Sequence, residues 1–430
     1  MSSPSFKIKN YLNSFFCSNA TYVFALKWLL LSLLISILVG SAAAGFLISL
    51  EWVTDFRIDN IWIIGFLPIV GFCISWIYLK YGKNTESGNN LLIDTIHDGG
   101  ERIPFRMAPL VYIGTILTHM FGGSAGREGT ALQMSGAIAD LFSKPFKLSK
   151  EDRSILLISA VAGGFGAVFG TPLAGAVFAI EFYSIGKVKY GALFPALLTA
   201  VFSDQICKLW NAQHTHYYID FVPNLTFQGI VYALLAGLLF AICARLFSES
   251  MRWMSTLWKA KISFPPLRTF IGGLIIIGMV FLLGHTRYIG LGIPTIVSSF
   301  ENELAPYDFG MKMLFTVITL SAGFKGGEVT PLFFIGATLG NALSLFIPLP
   351  VGLLAGMGFV GVFAGATNTP IACTLMAIEL FGSDCAIYVA IACFTSYLCS
   401  GNTSIYRRQE IGVAKVSQDK DLEGKRLNEL

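Results

Sequence analysis

Glu128 and Glu328 occupy nearly the same setting, 328 − 128 = 200 residues apart. Gly126-Arg127-Glu128-Gly129-Thr130 opens one apolar stretch, and Gly326-Gly327-Glu328-Val329-Thr330-Pro331 opens another. Glycines let backbone amides approach a ligand closely. The helix that follows offers unpaired N–H groups and the positive end of its dipole, a combination that binds anions without a fixed cation. Pro331 suits an early helical position, because its missing N–H would go unpaired there anyway. An ionised glutamate can fill such a site itself. A protonated one can swing away and carry its proton. The bland alternatives are a glutamate that merely complements the dipole, or a Glu328 bonded to loop amides.

Two further segments could add donors. Thr85-Glu86-Ser87-Gly88-Asn89-Asn90 precedes a short apolar run, and Asn89 or Asn90 could offer an amide to an anion or simply cap a helix. Ser400-Gly401-Asn402-Thr403-Ser404-Ile405-Tyr406 offers a phenol, which taken alone reads as an interfacial anchor. Hydrolytic chemistry has little to build on. Ser124 and His119 lack an evident third orienting group, and HExxH is absent. His214 and His216 fall in the polar loop NAQHTHYYID and read as an exposed pair. No enzyme, metal or cofactor is expected.

These residues must be held by membrane-embedded elements. Of 430 residues, 54% are hydrophobic and 13% charged, against about 25% charged in soluble proteins. Mean hydropathy is +0.66. A net charge of +4 spread over loops does not imply nucleic acid. The 44 glycines suit close helix packing and broken helices. Apolar runs fall near 25–52, 61–79, 107–121, 130–142, 154–184, 190–209, 226–247, 267–284, 311–322, 331–348, 351–366, 370–382 and 385–400. Several are shorter than the ~20 residues a spanning helix needs. None of the eight cysteines forms a CxxC pair, and they read as unpaired small hydrophobes. The start, MSSPSFKIKNYLNSFF, is polar and amphipathic rather than a secretory leader. Basic loops (Lys80 and Lys83; Lys144, Lys147 and Lys150; Lys259, Lys261 and Arg268) and both ends belong to the cytoplasm by the positive-inside rule. Loops with Asp55 and Asp59, and with Glu301, Glu303 and Asp308, belong outside.

An internal repeat organises the chain. Residues 163–181, GGFGAVFGTPLAGAVFAIE, align without gaps with 361–379, GVFAGATNTPIACTLMAIE, at an offset of 379 − 181 = 198. The glutamate motifs repeat at 200 and also match Gly126 with Gly326, Thr130 with Thr330, Leu132 with Leu332 and Gly136 with Gly336. The expected division is a cytoplasmic segment 1–20, a first repeat 21–212, a second repeat 213–410 and a short cytoplasmic tail 411–430, too short for a regulatory domain. Sites between such repeats are the expectation.

Together, SGNNL, GREGT, GGEVTP and SIYRRQ resemble the motifs of the CLC family of chloride channels and proton-coupled anion transporters. The likeness covers about residues 20–410. It implies an all-α polytopic membrane protein with two inverted-topology helical repeats and broken, re-entrant helices. Anion contacts would then be Asn89, Gly126, Gly129, Thr130, Val329, Thr330 and Tyr406, with Glu128 and Glu328 gating and carrying protons. Segments near 172–209 and 370–400 match those the family uses in homodimers. The departures are specific. Chloride-type members have a serine where Asn89 stands, GREGP where this chain reads GREGT, and GGxFxP where it reads GGEVTP. Many proton-coupled chloride members also have an inner glutamate where this chain has Phe182. The set is similar to the bacterial fluoride-exporting branch, CLC-F. That resemblance implies a secondary active transporter in the bacterial inner membrane, exporting fluoride in exchange for protons and giving fluoride resistance. The alternative is a proton-coupled chloride transporter or chloride channel of the same fold. Fluoride is small and strongly hydrated, so several oriented donors must replace its water.

Overall fold

The computed structural model describes residues 19–100 and 102–430. The remainder of the N-terminal segment, with Lys7, Lys9 and Cys17, lies outside the described residues. Sixteen α-helices follow one another among the described residues. The first eight are α1 (Asn19–Asp59), α2 (Leu67–Tyr81), α3 (Asn89–Asp98), α4 (Met107–Met120), α5 (Glu128–Asp140), α6 (Lys150–Phe169), α7 (Pro172–Glu181) and α8 (Leu193–Leu209). The next eight are α9 (Phe227–Lys261), α10 (Pro265–Leu283), α11 (Ile293–Glu301), α12 (Asp308–Ala322), α13 (Val329–Leu343), α14 (Val351–Thr367), α15 (Pro370–Phe381) and α16 (Ala386–Cys399). The second set repeats the first in order. Each begins with its longest helix, has a helix of nine or ten residues third, and ends in the same sequence of lengths to within a turn or two.

Length decides what each helix can do. At 1.5 Å per residue, α1 is about 60 Å long and must tilt in a hydrocarbon core of about 30 Å. The ten residues of α3 and of α7 reach only about 15 Å and end partway through. Such ends leave backbone groups that lipid cannot satisfy, so protein must do so. The sequence supplies the breaks. The run 154–184 divides because Gly170 takes a left-handed turn (φ 72°) before Thr171-Pro172. Its counterpart divides in the same way at Asn368 (φ 60°) before Thr369-Pro370. Asparagine is the side chain that best tolerates that conformation.

The repeated glutamates at the ends of these segments show how the halves relate. Glu181, last in α7, accepts from the Ala372 N–H at the start of α15, at 2.9 Å. Glu379, near the end of α15, accepts from the N–H groups of Leu173 and Ala174 at the start of α7, at 2.9 and 2.8 Å. Each helix end caps the other helix's beginning, so α7 and α15 lie antiparallel. Equivalent helices in opposite directions are the mark of inverted repeats. The loops before α5 and α13 exchange bonds as well. The Gly126 N–H donates to the Gly327 carbonyl at 2.6 Å, and the Gly327 N–H to the Gly126 carbonyl at 2.8 Å.

Helices α6, α13 and α14 form the buried centre. There, α13 and α14 touch backbone to backbone. A Cβ added to Gly336 would stand 2.0 Å from the Gly358 carbonyl oxygen. The chain after α16 is not a free tail: Glu410–Ile411 (β2) pairs in parallel with Ser184–Ile185 (β1). All seven cysteines among the described residues are free.

The α13–α14 contact predicts a sharp contrast. Gly336→Ala should destabilise the detergent-purified protein by about 1–3 kcal/mol through overpacking. In α10, Gly278 has nothing within 4 Å of an added Cβ, so Gly278→Ala should be neutral or slightly stabilising. Thermal unfolding of both variants checks this, and equal melting temperatures would contradict the packing account.

Candidate anion site

Glu128 is the first residue of α5, and its side chain is buried. Its carboxylate reaches into the other repeat. The Thr330 backbone N–H donates to Oε2 at 3.0 Å, and the Thr330 hydroxyl stands 2.6 and 2.7 Å from the two carboxylate oxygens. The Arg127 N–H adds a third contact at 3.1 Å, and Arg127 Nε lies 3.5 Å from Oε1. The carboxylate therefore fills the donor set at the start of α13, where a bound anion would sit. Glycine is required at this contact: a Cβ on Gly126 would lie 2.9 Å from Glu128 Oε2.

Two cavities lie in this region, and Glu128 lines the smaller of them. One of about 340 Å³ is lined by Asn89, Glu328 and Tyr406, with Lys259 from the end of α9 and Arg268 from the first turn of α10. The other, of about 20 Å³, is lined by Arg127, Glu128, Thr330 and the aromatic rings of Tyr217, Phe333 and Phe359. That volume admits one water-sized particle, which needs roughly 10–15 Å³. Glu328 and Thr330 thus face different cavities rather than one central cavity. Glu328 precedes α13 without a side-chain cap bond and lines the larger cavity.

The remaining expected residues divide into two groups. Asn89 begins α3, and its amide packs on Gly129, where an added Cβ would meet Nδ2 at 3.1 Å and Glu328 Oε2 at 3.8 Å. Tyr406 is 2% exposed. Its hydroxyl and the Asn89 side-chain oxygen find no hydrogen-bond partner among the described residues. A buried polar group left unpaired costs about 1–3 kcal/mol, so the Tyr406 hydroxyl suits an anion, while the Asn89 oxygen, an acceptor, suits a proton donor such as a protonated carboxyl. Asn89, Gly129, Glu328 and Tyr406 therefore converge, as do Gly126, Glu128 and Thr330. Val329 is buried in the first turn of α13. Thr130 points away from Glu128, and its hydroxyl pairs with that of Thr115 in α4 at 2.7 Å.

Phe182 is the position at which the resemblance to many proton-coupled chloride members implies an inner glutamate. It is fully buried, stacks on Phe178 at 5.4 Å, and meets Tyr406 edge-on at 5.9 Å. Sequence reading did not single out Tyr217, Phe333 or Phe359, because aromatics in apolar surroundings look like core. Lys325 was more legible, being three residues before Glu328; its ammonium lies over the Tyr78 ring at 3.9 Å beside the larger cavity. The hydrolytic alternative has no geometric support. Ser124 bonds to the Thr316 hydroxyl at 3.0 Å, and both ring nitrogens of His119 face backbone carbonyls at 2.8 and 3.0 Å. His214 likewise bonds to the Ala167 carbonyl.

Residues 70–401 match the family described as voltage gated chloride channel. A chloride/fluoride channel protein of Pseudomonas syringae pv. tomato is 49% identical over 395 residues, covering 90% of this chain and 87% of its own. The crystal structure of a CLC-type fluoride/proton antiporter superposes with a TM-score of 0.87 at 36% identity, covering 90% of this chain and 98% of that one. A slow cyanobacterial Cl⁻/H⁺ antiporter shares the fold with a TM-score of 0.77 at 18% identity, over 87% of this chain and 94% of that one. This chain is therefore a member of the CLC, or voltage-gated chloride channel, family.

Proposed function

We propose that this protein is a secondary active transporter that exports fluoride in exchange for protons. The observation that carries the reading is the Glu128 carboxylate lodged on the Thr330 donors at the wall of the smaller cavity, with Glu328 lining the larger one. In that position it blocks the path and imitates the anion. Protonation removes its charge and frees the donors for fluoride. Glu328, in the larger cavity with Asn89 and Tyr406, takes the proton onward. Phe182 leaves no acid at the usual inner position, so a second carboxyl elsewhere is what coupling needs.

Fluoride suits these donors better than chloride. It is smaller and the stronger hydrogen-bond acceptor, so it gains more from close hydroxyls, amides and protonated carboxyls. The antiporter with the similar fold is described as carrying fluoride and protons. The Pseudomonas relative is described as a channel, which supports a second reading: an uncoupled path for the same anions.

By the distribution of basic loops, the larger cavity faces the cytoplasm, both ends of the chain lie there, and the protein resides in the bacterial inner membrane. Residues 21–212 and 213–410 act as the two repeats. The outward apolar side chains of α7, α8, α15 and α16, such as Leu173, Phe194, Ile371 and Ile387, form the contact of a homodimer with one pathway per subunit.

Purified protein in liposomes should release fluoride at least roughly tenfold faster than chloride, with proton uptake accompanying each fluoride lost. Glu128→Gln should reduce proton uptake to the level of empty vesicles, and full coupled exchange in this variant would remove Glu128 from the gate. Glu328→Gln should uncouple proton movement while the protein remains folded. Unchanged proton uptake per fluoride would return Glu328 to a structural role.

A further inference from the structure

Residues 411–430 read from sequence as a short cytoplasmic tail, yet with residues 407–410 they form a strap across one face of the molecule. The strap begins beside Tyr406. The Arg408 N–H donates to the Asn90 side-chain oxygen at 3.2 Å. Gln409 is fully buried, and its amide donates to the carbonyls of Phe182 and Thr367, both at 2.7 Å. Lys415 donates to the carbonyls of Tyr397 and Gly401, at 2.6 and 2.7 Å, where α16 ends. The chain then turns back. Glu410 pairs with Arg426 as an antiparallel bridge, and Ile411 and Leu427 pack together with Ile185.

Arg426 closes the strap onto α3. Asp94 and Asp98 stand four residues apart near the C-terminal end of that helix. Like charges at this spacing repel, and the negative end of the helix dipole disfavours both. A cation between them relieves both effects. Arg426 does so, with Nη1 3.0 Å from Asp94 Oδ1 and Nη2 2.8 Å from each oxygen of Asp98. Arg408 adds a longer contact to Asp94, at 3.5 Å. The stretch that starts at Tyr406 therefore ends by gripping the helix that starts at Asn89. These two residues are 406 − 89 = 317 apart in sequence, and both line the larger cavity.

We propose that Arg426 is a positioning residue for the anion site, clamping α3 to the strap so that Asn89 and Tyr406 keep the spacing a small, dehydrated anion requires. The role rests on the reading of Asn89 and Tyr406 as anion contacts. A small anion surrenders its water only to donors in contact with it, so slack in the site weakens fluoride more than the larger chloride. A merely structural contact would change the yield of folded protein, or the rates for both anions alike.

The test is the concentration dependence of fluoride and chloride efflux from liposomes, normalised to monodisperse protein. The set comprises wild type, Arg426→Gln, Arg426→Lys, and the charge swap Arg426→Asp with Asp98→Arg. Arg426→Gln should raise the KM for fluoride by roughly threefold to tenfold and shift chloride less. Arg426→Lys should restore part of the loss and the charge swap most of it. Equal shifts for both anions, or no shift, would overturn the proposal. If Arg426→Gln does not yield monodisperse protein, Asp98→Asn removes the two-oxygen contact at a side chain that is 56% exposed and carries the same expectation. Wild type that favours chloride would refute the fluoride assignment alone. Positioning would then be judged on whether the variants change KM for the transported anion rather than maximum rate.

Discussion

A carboxylate from one half of the chain rests on the first turn of a helix from the other half. The Thr330 N–H and hydroxyl hold both oxygens of Glu128, and much of the architecture exists to bring those groups together. Two helix beginnings must meet away from water, which requires helices that stop short. Short helices expose backbone ends, and the inverted pairing satisfies them reciprocally through Glu181, Glu379 and the Gly126–Gly327 exchange. Backbones must also approach closely enough for glycine alone to fit, as at Gly126 and Gly336. The repeat in the sequence and the site in the structure are thus two aspects of one constraint.

The surroundings make that interaction switchable. Thr330 offers neutral donors, and Arg127 stays at 3.5 Å without a hydrogen bond from Nε. A carboxylate held mainly by dipoles can be exchanged for another anion without leaving a buried fixed charge unpaired, which would be costly. On the larger-cavity side, the Phe178–Phe182–Tyr406 packing fixes the phenol while leaving its hydroxyl unpartnered. Glu328 lies across the same cavity. An acid at Phe182 would replace part of this aromatic support.

Much of this was legible before any coordinates. The paired glutamates and the repeat offsets identified the starts of α5 and α13, because glycine and ionisable residues have few other uses in apolar segments, whereas the break at Gly170 within the run 154–184 was not legible. The membrane character and the free cysteines followed from composition. Less legible was direction. Thr130 and Thr330 look equivalent in sequence, yet one bonds to Thr115 and the other to Glu128, because inverted repeats place equivalent residues in different surroundings. Tyr217, Phe333 and Phe359 line the smaller cavity but carry no pattern that separates them from core. The strap was missed because its anchors, Asp94 and Asp98 with Arg426, lie far apart in the chain and are ordinary surface charges in sequence.

The central claim is that proton and anion movements are obligatorily linked at Glu128. The most direct measurement places equal fluoride inside and outside proteoliposomes, clamps the membrane potential at zero and imposes a pH gradient. Protons moving down their gradient should drive fluoride into the acidic compartment, against its own rising concentration. Leakage of neutral hydrogen fluoride would drive it the opposite way. Accumulation on the acidic side is the predicted result; no accumulation, or fluoride collecting on the alkaline side as in empty vesicles, would contradict the account.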